Sequence, residues 1–105
     1  MKPVIIESPY AGNIKTNVSY ARKALKDSLD RGEAPLASHL LYTQVLDDKV
    51  KAERKLGITA GLAWQAKAKA VVVYGDLGIT KGMKRAIKLA KERKIPIEYR
   101  YIKGG

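Results

Sequence analysis

An α/β fold with a parallel sheet layered between helices is predicted from three features of this 105-residue chain. Short apolar runs rich in β-branched residues recur, with Val4-Ile5-Ile6 and Val71-Val72-Val73-Tyr74 the clearest. They alternate with longer segments of helical period, giving the order β-α-β-α-β-α-β. The junctions carry turn residues, as in Pro9-Tyr10-Ala11-Gly12-Asn13 and Gly75-Asp76-Leu77-Gly78. Strands alternating with helices imply crossover connections and strands covered on both faces.

The elements follow in order. Pro3–Ser8 is the first strand. A helix is expected from Thr16 or Asn17 to Arg31, with Val18, Ala21, Leu25 and Leu29 on one face and Gly32 as its stop. Ala34–Ser38 reads as a short strand, and Pro35 marks it as an edge. A second helix is expected from Asp47 or Asp48 to Lys67, with Val50, Leu56, Ala60 and Ala63 in its apolar stripe and the two aspartates at its N-terminal end. Gly57 and Gly61 share a face of that helix. Each costs it about 1 kcal/mol relative to alanine, so a close backbone approach there is expected as compensation. Ala70–Tyr74 is the third strand. The helix from Lys81 to Lys94 turns Met83, Ile87 and Ala90 inward and Lys84, Lys88 and Lys91 outward. Ile95–Ile102 is the last strand, an edge by virtue of Pro96, and Lys103–Gly105 reads as a frayed end.

Composition narrows the function classes. The length fits one domain over residues 1–105. With 46% hydrophobic and 30% charged residues the chain is expected to be globular. No apolar run reaches the roughly 18 residues of a membrane span, and the apolar stretch after Met1 is too short for a signal peptide, so a cytoplasmic protein with no membrane partner is expected. Zero cysteines exclude disulfides and thiolate metal sites, and the single histidine leaves no metal-ligand set; neither a metal nor a cofactor is expected. Lysine and arginine number 21 against 10 acidic residues, a net charge of +11 that favours anionic partners.

In parallel sheets ligands bind beyond the carboxyl ends of the strands. That rule gathers Ser8, Tyr10, Gly12 and Asn13 after the first strand, His39 and Tyr42 after the second, and Asp76, Gly78, Lys81 and Gly82 after the third as the candidate ligand-binding set. The last group opens a helix, where free N–H groups and the helix dipole attract anions, with Lys81 as the accompanying cation. It is not an ATPase phosphate loop, since Thr80 precedes Lys81 and Gly82 follows it. Structural readings stand beside these: turn formation and helix capping for Ser8 to Asn13, a satisfied hydrogen-bonder for His39, turn organisation for Asp76. Arg54 can reach a phosphate, and Tyr10, Tyr42 and Tyr74 are candidates for base stacking. Trp64 is expected in packing or an interface.

Ile6-Glu7-Ser8-Pro9-Tyr10-Ala11-Gly12, Ala37-Ser38-His39-Leu40 and Asp76-Leu77-Gly78-Ile79-Thr80-Lys81-Gly82-Met83 together resemble the strand ends and loops of the nucleoside 2-deoxyribosyltransferase superfamily. The nearest likeness is to a small phage and bacterial branch, over nearly the whole chain. The resemblance implies a flavodoxin/Rossmann-like three-layer sandwich with a four-stranded parallel sheet, a nucleoside or nucleotide ligand, and a homo-oligomer, for which Gly57, Gly61 and Trp64 are the expected interface. Active members of that superfamily use a glutamate nucleophile four residues after a glycine on the helix following the third strand. Here that position is Ala86, four residues after Gly82. Alanine offers no nucleophile. The expected function is therefore nucleotide binding without catalysis, sequestering a nucleotide signal or metabolite. The alternatives are cleavage of an N-glycosidic bond with Asp76 or Glu7 as the acid, and non-specific nucleic-acid binding along Lys81, Lys84, Lys88 and Lys91.

Overall fold

The structure, a computed structural model, describes residues 1–102; the expected frayed end at 103–105 lies outside them. The elements are β1 (Lys2–Glu7), α1 (Ile14–Asp30), β2 (Glu33–Leu36), two 3-10 turns (Ser38–Leu40 and Tyr42–Gln44), α2 (Lys51–Gln65), β3 (Ala70–Tyr74), α3 (Lys81–Glu92) and β4 (Ile97–Arg100). The four strands form one all-parallel sheet in the order β2-β1-β3-β4. The two strands with continuous apolar runs, β1 and β3, are central, with Pro3 confined to the exposed start of β1; β2, which contains Pro35, and β4, which follows Pro96, are the edges. This is an α/β, Rossmann/flavodoxin-like three-layer fold.

Alternation along β1 and β3 splits the core between the two faces of the sheet. Val4, Ile6, Ala70, Val72 and Tyr74 pack with Tyr20 and Ala24 of α1. Ile5, Val71 and Val73 pack with Met83, Ile87 and Ala90 of α3. Helix α2 lies on the α3 side: the Gln65 side-chain amide donates to the Ala86 carbonyl at 3.0 Å, and Arg93 donates to the Leu62 carbonyl at 2.6 Å.

Two apolar stripes differ from expectation. The buried face of α1 is Asn17, Tyr20, Ala21, Ala24 and Ser28, so the stripe rotates away from Leu29, which is exposed. Polar side chains are tolerated there because each finds a partner: Asn17 donates to the Tyr10 and Ala11 carbonyls, Tyr20 bonds Asp76, and Ser28 donates to Glu33. On α2, Val50, Leu56 and Ala63 are exposed, and the inward face is Gly57, Ile58, Gly61, Leu62 and Gln65. The glycines admit the 3-10 turns. A Cβ on Gly61 would stand 3.2 Å from Ser38, and one on Gly57 would stand 3.4 Å from Leu46. Both glycines therefore face inward and cannot join Trp64, which is 51% exposed, in one outer interface. Helix α2 also begins later than expected. Asp47 instead accepts from the Lys49 amide, and Glu53 reaches back to accept from the Asp47 amide at 3.0 Å.

The α1 face is tied across the sheet by Arg100. Its guanidinium donates to both Glu33 oxygens at 2.8 and 2.7 Å, to Glu98 at 2.6 Å, and to the Tyr74 hydroxyl at 3.2 Å. Tyr74 in turn donates to Asp27. Tyr74 is thus fully buried under α1 and not a stacking surface in a cleft.

Two stability predictions follow from this packing. Helix α3 ends in a Schellman motif, with Ile95 N–H donating to the Ala90 carbonyl and Lys94 N–H to the Lys91 carbonyl. Lys94 sits there at φ 59°, the left-handed region that glycine adopts without strain. Lys94→Gly is expected to raise unfolding free energy by about 1 kcal/mol, read from urea denaturation. Arg100→Ala would strand Glu33, whose side chain is 13% exposed, and is expected to cost about 3–5 kcal/mol. Hydrogen bonds from Arg100 hold the Glu33 carboxyl down at about 2 in the fold against 4.5 ordinarily. Its contribution is complete above pH 4.5 and lost as pH falls toward 2, and Arg100→Ala is expected to flatten that acid limb in the same titration.

Candidate functional site

The strand order reverses direction between β1 and β3: the chain passes from β1 outward to β2, then back across to β3. Loops leaving such a pair of strands diverge and open a crevice. A cavity of about 340 Å³ lies there, on the α2/α3 face. Glu7, the last residue of β1, shares the strand face of Ile5 and lines it. The loop after β1 contributes Tyr10, the 3-10 turns contribute Ser38, His39 and Tyr42, α2 contributes Arg54, Gly57 and Gly61, and the start of α3 contributes Thr80, Lys81, Gly82, Arg85 and Ala86.

Local sequence explains these placements. Asn17, inside α1, uses its amide to hold the carbonyls of Tyr10 and Ala11 at 2.9 and 3.0 Å, which fixes the loop. Tyr10 stacks on His39, with ring centroids 5.0 Å apart and planes 18° from parallel. Thr43 donates to the His39 carbonyl at 2.6 Å and braces the turn that carries it. Thr80 caps α3, accepting from the Met83 amide at 3.3 Å. Burial lowers the His39 pKa from its usual value, against a smaller opposing pull from the Asp48 carboxylate. The imidazole is thus neutral at pH 7 and behaves as an aromatic wall.

Charge is graded across the cavity. Arg54, Lys81 and Arg85 are exposed and form its rim. Glu7 lies deeper, and among the described residues its carboxyl has no hydrogen bond and no ion pair. Burial alone pushes its pKa up from 4.5 to about 8. The shift favours the carboxylic acid form at neutral pH, which has one donor and one acceptor to offer. Among the described residues no group of three or more histidines or acidic residues is arranged to hold a metal, and no helix is long and apolar enough to cross a membrane.

Of the ten residues expected from sequence, the structure brings Tyr10, His39, Tyr42, Lys81 and Gly82 together at the cavity. Ser8, Gly12, Asn13, Asp76 and Gly78 stand outside its lining. Ser8 has the parity of Ile6 and is buried. Asn13 caps α1, accepting from the Thr16 amide at 3.1 Å. Gly12 and Gly78 hold φ of 98° and 92°, so each is required by its turn. Asp76 accepts from the Tyr20 hydroxyl and from the Ile102 amide at 2.8 Å, which joins α1 to the end of β4. Arg85 and the two inward glycines were not among the expected site residues. Arg85 follows the exposed Lys84 at a helical position one turn beyond Lys81, and that spacing was its only signal.

A family model described as a domain of unknown function (DUF7768) matches residues 2–100. The chain belongs to the DUF7768 family. No curated protein and no solved structure matches it. The DUF7768 match runs from Lys2 through Arg100, and so takes in both the cavity and the ion pair that ties the sheet.

The raised Glu7 pKa has a measurable consequence. The unfolded chain ionises Glu7 near pH 4.5 and the folded chain near 8, so stability falls as pH rises between those values, by at most about 1.4 kcal/mol per pH unit, and levels off above. Glu7→Gln is expected to remove that slope, and urea unfolding at pH 5, 7 and 9 compares the two proteins. An unchanged slope in the variant would show that Glu7 ionises normally.

Proposed function

We propose that this cavity binds a nucleotide, with the base inside and the phosphate at the rim. The supporting observation is the pairing of an aromatic interior with a cationic mouth. Tyr10 and His39 present stacked rings, while Arg54, Lys81 and Arg85 flank the capped start of α3. Backbone N–H groups at a helix start and guanidinium forks are suited to phosphate oxygens. The volume falls at the lower end of the range for small-molecule sites, which fits a mononucleotide. The net charge of +11 adds long-range attraction for an anion.

The reading keeps the likeness to the deoxyribosyltransferase superfamily as a proposal about ligand class and sets catalysis aside. Ala86 lines the cavity where that superfamily carries its nucleophile, and it cannot attack. Binding without turnover would suit a protein that sequesters a nucleotide signal or metabolite. Cleavage of an N-glycosidic bond is favoured by the position of Glu7 in the cavity lining, where its raised pKa suits a group that protonates a leaving base.

Calorimetry with nucleoside monophosphates and the matching nucleosides tests the proposal. Monophosphates are expected to bind in the micromolar range and nucleosides more weakly. Arg54→Ala with Lys81→Ala should weaken the monophosphates about tenfold or more while leaving nucleosides unchanged. Equal affinity for both ligand series would remove the phosphate role. Free base appearing on incubation, and lost in Glu7→Gln, would favour the hydrolase.

A further inference from the structure

We propose that the β4 edge of the sheet, together with the outer side of α3, binds single-stranded nucleic acid: Tyr99 and Tyr101 stack on bases while Lys84, Lys88 and Lys91 meet phosphates. This surface lies apart from the cavity, and the inference does not rest on the reading given to the cavity.

The tyrosines are set by the pleat of β4. Glu98 and Arg100 turn to the α1 face, where they pair with each other at 2.6 Å. Ile97 turns the other way and packs with the core under α3. Tyr99 shares the parity of Ile97, and Tyr101 follows at the same parity. The two are 51% and 55% exposed, so neither ring is enclosed by that core. The Tyr101 ring packs on Gly75, where a Cβ would stand 3.0 Å from it. Alternate residues on one strand face stand about 7 Å apart. Nucleotides within a stacked strand rise about 3.4 Å each, so rings at this spacing suit neighbouring bases of a strand drawn out of its stack.

The cations stand beside them. Helix α3 packs over β3 and β4, whereas α2 lies over β1. Met83, Ile87 and Ala90 of α3 turn to the sheet. Gly82, Ala86 and Arg93 fall on the α2 side: the first two line the cavity with α2, and Arg93 donates to Leu62. At about 100° per residue, Lys84, Lys88 and Lys91 fall on the opposite side of the helix, above the β4 edge. All three are exposed, and among the described residues none of them makes an ion pair. The ion pairs that do form involve α1 or Arg100. Glu92 is the one acidic residue of α3 against five basic ones. The three lysines span about 10 Å of helix axis, room for two or three phosphates.

The combination selects the ligand. Cations alone accept any polyanion. Rings and cations arrayed side by side fit a chain in which charged phosphates alternate with uncovered bases. A duplex stacks its bases on one another and leaves these rings unused. The net charge of +11 adds attraction for such a polyanion.

The test is fluorescence anisotropy with end-labelled oligo(dT), oligo(U) and duplex DNA over a range of salt, with heparin as a polyanion that carries no bases. At least one single strand is expected to bind in the micromolar range and more tightly than the duplex, and the ratio of oligo(dT) to oligo(U) affinity assigns DNA or RNA. Tyr99→Ala with Tyr101→Ala should weaken the single strand about tenfold or more and leave heparin unchanged. Tyr99→Phe with Tyr101→Phe keeps the rings and should retain affinity. Alanine at Lys84, Lys88 and Lys91 should weaken both ligands and reduce the slope of log affinity against log salt by about two. The inference is overturned by duplex binding as tight as single-strand binding, by alanine variants of the tyrosines that match the native chain, or by an unchanged salt slope in the lysine variant. Phenylalanine variants as weak as the alanine variants would also overturn it, as would no binding of either single strand. Calorimetry separates this site from the cavity: monophosphate affinity should be the same in Tyr99→Ala with Tyr101→Ala as in the native chain, and its loss there would overturn the assignment of a second site.

Discussion

The buried guanidinium of Arg100 commits one whole face of this protein to structure. It reaches from the edge strand β4 over Tyr74 to Glu33 on the opposite edge strand, and closes a network that includes Glu98, Asp27 and Ser28. Buried charges of this kind stabilise only when their partners are complete. Here the pairing with Glu33 is bidentate, and among the described residues the Arg100 Nε is the buried side-chain atom left without a partner. Tyr20 and Asp76 extend the same economy toward the loop after β3. Polar chemistry under α1 is thereby consumed in joining strands to helix. The other face has a different balance, because its polar groups surround an opening and, among the described residues, the Glu7 carboxyl makes no hydrogen bond within the chain. That asymmetry between faces, more than any single motif, locates the site.

Much of the architecture was legible because it depends on pattern. The run Val71-Val72-Val73-Tyr74 demanded a strand buried on both sides, and Pro35 and Pro96 demanded edges. The helix expected from Lys81 begins there, and Thr80 caps it. Helix α2 was misread for a physical reason. Its exposed positions hold Leu56 and Trp64, while its inward positions hold Gly57, Gly61 and Gln65. Ile58 and Leu62 also face inward, so hydrophobicity alone does not separate the two faces. The compensation expected for the glycines does occur, but it comes from Ser38, Tyr42 and Leu46 of the same chain.

The site was half legible for a related reason. The rule that ligands gather at strand ends names loops and does not say on which face of the sheet a side chain emerges. Tyr74 and Asp76 share the parity of Val72 and turn under α1. Glu7 shares the parity of Ile5 and turns toward α2 and α3. Period-two alternation carried that information, and applying it past the last residue of each strand would have separated the two groups. Contacts that join distant segments had no local signature. The Tyr10–His39 stack is of this kind, as is the hold of Asn17 on the Tyr10 carbonyl.

An acidic group at the end of β1 and an alanine on α3 describe a different chemistry from a carboxylate nucleophile on that helix. A nucleophile must be ionised at working pH, and its site supplies donors or cations that keep it so. Glu7 sits where desolvation does the opposite, and the rim arginines and lysine leave its pKa unmoved. A neutral acid offers a donor beside an acceptor and gives up a proton only to a partner basic enough to take it. On the proposed reading, the interior of the cavity offers stacked rings and hydrogen-bonding groups, and the rim offers charge. A ligand of the proposed kind carries its negative charge at one end and a planar ring at the other. That pairing follows from the separation of the two kinds of side chain across one cavity.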